Sequence, residues 1–168
     1  MKYPYSKTEQ LQLVDEFERL DASKNQEYET LKNNIDNIES VEQIKQSILQ
    51  LNSLKEYFFD NVRLSQVDAL TEQYKALYNA ITLSGKLLEA GKYEIQMLLN
   101  GKPVKVATVP KVTSNCASQI RVNPSGNKFV ITYDAIDCLG DEENFIDVQF
   151  RINGKRVESK YHFKVDNE

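Results

Sequence analysis

The chain reads as an α+β protein in sequence order, with a helical N-terminal half followed by a C-terminal antiparallel β-sandwich. Three observations predict this. From Leu13 to Leu88 apolar residues recur at steps of three and four, the period of an amphipathic helix. From Lys92 onward they alternate with polar residues, the period of a strand with one buried face. Punctuation changes at the same place: no proline lies between Tyr5 and Lys102, whereas Asn-Gly pairs stand at 100–101 and 153–154.

The helical half divides at three capping signals. Ser6-Lys7-Thr8-Glu9, Ser40-Val41-Glu42-Gln43 and Ser65-Gln66-Val67-Asp68 each offer a hydroxyl to an orphan backbone N–H, with an acid or amide three residues on. The first segment carries Leu13, Val14, Phe17 and Leu20; Lys24 interrupts, and Tyr28, Leu31, Ile35 and Ile38 resume, so a break is expected near 21–25. The second carries Val41, Ile44, Ile48 and Leu51, continuing to Phe58 and Val62. The third carries Val67, Leu70, Tyr74, Leu77, Ile81 and Leu88. A short link around 61–64 favours antiparallel neighbours, hence a helical hairpin or bundle; stripes meeting copies of themselves in a coiled coil is the rival reading. The last helix is expected to end at Leu88-Glu89-Ala90 with Gly91 at a left-handed C′ position. That divides the chain into residues 1–90, for anchoring or oligomerisation, and 91–168.

In the β half, Tyr93, Ile95, Met97 and Leu99 precede Asn100-Gly101, the pair favoured in two-residue hairpin turns. Such a turn sets Leu99 opposite Lys102, Met97 opposite Val104 and Ile95 opposite Val106. A second hairpin points Ile146, Val148, Phe150 and Ile152 inward and Asp147, Gln149 and Arg151 outward. After Asn153-Gly154, Val157, Ser159, Tyr161, Phe163 and Val165 return on the inner face, with Arg156, Glu158, Lys160, His162 and Lys164 outside. Between the hairpins lie Ile120-Arg121-Val122, a turn at Pro124-Ser125-Gly126-Asn127, and Phe129 to Tyr133. One-faced antiparallel strands bury their apolar sides against a second sheet. The six or seven strands between 92 and 165 resemble an immunoglobulin-like domain in architecture, without that family's Trp and with Cys116 and Cys138 too close for its usual pair.

Composition narrows the function classes. The chain has 168 residues, 40% hydrophobic and 27% charged, the balance of a folded protein. A formal charge of −4, with 15 acidic and 10 basic side chains in residues 1–90, is wrong for gripping phosphates, so no nucleic acid is expected as a partner. Met1-Lys2-Tyr3-Pro4-Tyr5 leads into polar residues with no signal-peptide core, and no apolar stretch spans a membrane. Synthesis in a cytoplasm is the expectation, with Cys116 and Cys138 as reduced thiols.

No enzyme is expected. His162, the single histidine, lies on an outward strand face between lysines, a poor seat for a general base. One histidine and two cysteines fall short of a zinc set. The acidic run Asp137-Cys138-Leu139-Gly140-Asp141-Glu142-Glu143-Asn144 has oxygen ligands but no EF-hand spacing, and reads as a solvated loop. No catalytic residue, cofactor or metal is therefore assigned. The binding candidates are aromatic: Tyr57, Phe58 and Phe59, three consecutive rings that cannot all face one interior on a helix, and the arm Tyr3 and Tyr5. The expected role is a structural or assembly protein, most concretely a bacteriophage virion component such as a capsid decoration, head-fibre or tail-attached protein. Its partners would be other proteins of a larger assembly, or further copies through the helices, and it would reside in the virion after synthesis in the host cytoplasm. A soluble cytoplasmic adaptor or chaperone-type binding module is the alternative.

Overall fold

The computed structural model describes residues 6–136, 138 and 143–163. Two compact units emerge, Met1–Ile38 with Ile44–Lys75, and Glu39–Gln43 with Ala76–Glu168. An N-terminal long helix is followed by antiparallel sheets, as the change of period predicts.

The helices are α1 (Lys7–Asn34), α2 (Val41–Leu54) and α3 (Asn61–Leu77). Two of the expected caps are in place. Glu9 N donates to Ser6 Oγ at 3.2 Å and Ser6 N to Glu9 Oε2 at 3.3 Å. The same reciprocal pair joins Ser40 and Gln43 at 3.2 and 3.3 Å. The third start differs. Asp60 caps α3, accepting from Arg63 N at 2.9 Å, and Ser65 falls inside the helix. Arg63 stands where a capping box wants an acid or amide, which hides this cap from pattern reading.

α1 does not break near 21–25. It runs unbroken for 28 residues, with Asn25 Nδ2 bonded to Asp21 Oδ2 (3.2 Å) and Lys24 paired to Glu27 (3.2 Å) one turn apart. α2 is shorter than its apolar repeat suggests, and the turn after Leu54 carries the aromatic run. The core of this unit is Leu31, Ile44, Leu51, Leu54, Phe58, Val67, Leu70 and Tyr74. The buried Tyr74 hydroxyl donates to the Leu31 carbonyl, and burial raises its pKa above the usual tyrosine range.

The sheet begins earlier than the period suggests. Residues 81–89, expected as the end of a helix, form β1 (Ile81–Glu89), which pairs antiparallel with β2 (Lys92–Leu99) from Ile81↔Leu99 to Glu89↔Lys92. Gly91 has the expected positive φ of 77°, used for the turn between these strands rather than for a helix end. The hairpin ladder to β2, closed by this turn, overrides the helical spacing of Leu77, Ile81 and Leu88.

The remaining strands are β3 (Lys102–Pro103), β4 (Lys111–Ser114), β5 (Ser118–Ser125), β6 (Lys128–Asp134), β7 (Phe145–Ile152) and β8 (Lys155–His162). One sheet has the order β1-β2-β6-β5 with β3 also on β2; the other is β4-β7-β8. Both Asn-Gly turns have two positive φ angles, as a type I′ hairpin needs. Leu99 faces Lys102 as expected, but the ladder stops at Pro103, and Ile95 pairs with Phe129 instead of Val106. Past the proline, Val104 N still donates to the Met97 carbonyl at 3.0 Å, as the expected opposition of these residues requires, and beyond it β6 takes that flank of β2.

Rings from the two sheets meet. Tyr93 stacks on Tyr161 at 4.5 Å, Phe129 meets Phe150 at 5.6 Å, and Tyr133 meets Phe163 at 5.3 Å. Gly85 lies under the Tyr93 ring, where any Cβ would collide with the phenol. The inward sets of β2 and β7 are buried as expected. Asp147, expected outward, is only 6% exposed. It sits on the central strand of its sheet, opposite Thr113 and Lys160, and accepts from Gln149 Nε2 at 2.7 Å. Cys116 and Cys138 are joined in a disulfide with Cα atoms 5.3 Å apart, correcting the expectation of free thiols. The chain returns through β5 and β6 to bring them together, a proximity that compartment reasoning alone does not reveal.

Candidate docking site on the helical unit

The first four turns of α1 bury nothing. Leu11, Leu13, Val14, Phe17 and Leu20 are all exposed, Phe17 at 67%. Leu13, Val14, Phe17 and Leu20 read in the sequence as a stripe for bundle packing or a coiled coil, yet within α1 only Leu31 is buried. Leu13, Phe17 and Leu20 follow four-three spacing on one helix face and form an apolar seam, which Lys24 ends one turn on.

The seam runs into a cavity of about 600 Å³. α1 supplies Phe17, Leu20, Asp21 and Lys24; the connection from α2 to α3 supplies Tyr57 and Phe59, and Arg63 closes one side. The connection positions these rings because its three aromatics diverge. Phe58 turns into the core at 3% exposure, while Phe59 stands out at 85%. Tyr57 lies between these extremes, with Lys24 Nζ 4.2 Å from its ring centre.

Arg63 organises the rim. Its guanidinium pairs with Asp21 of α1 and with Asp60, and its carbon lies 4.6 Å from the Phe58 ring centre. The hydrogen bonds its guanidinium donates to Asp21 and then to Asp60 raise the Arg63 pKa. The Arg63 backbone N–H, then its side chain, hold the Asp60 carboxyl below its ordinary range. Both groups therefore stay charged through the physiological range and fix α1 to the start of α3.

The sequence candidates separate as follows. Tyr57 and Phe59 belong to the cavity wall, whereas Phe58 is core and unavailable to a partner. Tyr3 and Tyr5 lie outside the described residues, as do Asp137, Asp141 and Glu142 of the acidic run. Among the described residues no group of three or more His, Cys, Asp or Glu is placed to hold a metal. His162 is exposed, with its ring edge-on to Phe145 at 6.4 Å. An a/d stripe looks the same whether a partner within the chain or outside it covers it, so the sequence left packing within the bundle and contact with another chain both open. The interruption at Lys24 was the available signal.

No protein-family model, curated protein or solved structure matches this chain.

Proposed function

We propose that this chain is a non-catalytic structural or assembly protein whose helical unit docks on a larger assembly while its β unit is presented outward. The observation that carries the reading is the exposed seam of α1 continuing into the aromatic cavity. Several adjacent large apolar side chains left in water mark an interaction surface rather than scattered surface hydrophobes. The β unit is read as an immunoglobulin-like sandwich. Leaving aside the two-residue β3, the orders β1-β2-β6-β5 and β4-β7-β8 correspond to the ABED and CFG sheets of the constant-type arrangement.

The most concrete form of this role is a bacteriophage virion component, a capsid decoration, head-fibre or tail-attached protein. A particle released from its host meets oxidising surroundings, where a disulfide such as Cys116–Cys138 persists. The test is to purify particles from the source of the chain on a density gradient and quantify the protein in them. A fixed copy number per particle is expected, lost in a Phe17→Glu, Leu20→Glu variant of unchanged melting temperature. A protein that stays at the top of the gradient, with no particle carrying it, would sink the reading.

A second reading, a one-to-one adaptor, is favoured by the cavity, whose volume is that of a pocket for a single inserted group. A single partner bound at equimolar ratio, independent of any particle, would select it.

A further inference from the structure

We infer that the seam and cavity receive a basic amphipathic helix of a partner protein, rather than a second copy of this chain. The inference rests on the docking reading above and adds the chemistry of the occupant. A helix laid in a groove is held by side chains at one-turn spacing, with a few large rings carrying most of the binding. Phe17, Leu20 and Phe59 provide apolar surface of this kind on both walls of the cavity.

Charge decides the occupant. Residues 7–25 contain Glu9, Asp15, Glu16, Glu18 and Asp21 against Lys7, Arg19 and Lys24. By helical spacing Glu16 borders the seam on one side and Asp21 on the other. Most of the nearby cations are already engaged: Arg19 with Asp15 at 3.3 Å, Lys24 with Glu27, and Arg63 with Asp21 and Asp60. Glu16, Glu18 and Glu56 have no ion pair among the described residues. Two such seams packed on each other would set carboxylates against carboxylates, which disfavours a homomeric coiled coil. A partner helix with lysine or arginine beside its apolar face would meet those free carboxylates while its large side chains enter the cavity.

The experiment titrates the full chain with three synthetic amphipathic peptides about three heptads long. Their Leu/Phe seams are identical and their flanks are Lys, Gln or Glu. At low salt the Lys peptide is expected to bind one-to-one and at least about ten-fold more tightly than the Glu peptide, with the gap shrinking as salt is added. Phe17→Ala with Phe59→Ala should abolish binding of the Lys peptide without loss of helicity. Glu16→Gln, Glu18→Gln and Glu56→Gln together should close the gap between Lys and Glu peptides and leave the Gln peptide unchanged. Equal affinity of the three peptides, or undiminished binding by the double alanine variant, would overturn the inference. So would a dimer in light scattering that Phe17→Glu disperses, which would assign the seam to a second copy. If peptide charge makes no difference but Phe17→Glu still removes the protein from particles, the basic partner falls and the docking role survives. If the substitution has no effect on particles either, both fall.

Discussion

Removing the Cys116–Cys138 bridge tests how the β unit is held together. The bond closes a loop 22 residues long in sequence, containing all of β5 and β6. In the chain-entropy description, a cross-link stabilises by restricting the unfolded chain, and a loop of this length contributes about 3.4 kcal/mol. For a unit of about 100 residues, a loss of that size lowers the melting temperature by roughly 15 to 20 °C. The perturbation is the double variant Cys116→Ala, Cys138→Ala, compared with the wild-type chain oxidised and fully reduced. Differential scanning calorimetry gives the temperature, and near-ultraviolet dichroism of the stacked Tyr93 and Tyr161 reports the β unit. The double variant and the reduced chain should melt at similar temperatures, both far below the oxidised protein. A shift under about 3 °C would refute the reasoning, because it would mean that the loop is already constrained in the unfolded chain or that the bond strains the fold.

The three aromatics after α2 should respond unequally. Phe58→Ala should cost the helical unit about 3 kcal/mol or more by leaving a cavity, whereas Phe59→Ala should stay within about 0.5 kcal/mol, both read by urea unfolding. Gly85→Ala forces the Tyr93 ring off its seat and should cost roughly 1–3 kcal/mol, while Thr82→Ala at an exposed position of the same strand stays near neutral. Burial raises the pKa of Tyr74, Tyr78, Tyr93 and Tyr133. Below about pH 10 these phenols are neutral in both states and the full stability is present. Above it the unfolded chain releases protons that the folded chain retains, so stability falls as pH rises through the raised values. Tyrosinate absorbance should therefore appear together with unfolding; ionisation near pH 10 in a still-folded protein would count against buried phenols.

Sequence alone determined the features that depend on neighbours along the chain. The boxes at Ser6 and Ser40 form because cap and partner lie three residues apart. Both Asn-Gly turns form because this pair tolerates two positive φ angles. Alternation placed Ile146, Val148, Phe150 and Ile152 on a buried face because a strand has period two. Tertiary structure decided everything that depends on which distant segment arrives alongside. Even a near neighbour decides in this way: residues 81–89 carry a spacing compatible with helix, and pairing with β2 across the turn at Gly91 makes them a strand. Ile95 meets Phe129 rather than Val106 because β6 claims that flank of β2. Cys116 meets Cys138 because β5 and β6 double back. The exposed apolar face of α1 was left undecided for the same reason. The periodicity of Leu13, Phe17 and Leu20 marks an apolar helix face but not what covers it. Only the packed unit, whose core starts at Leu31, leaves that face in water and sets Tyr57 and Phe59 beside it.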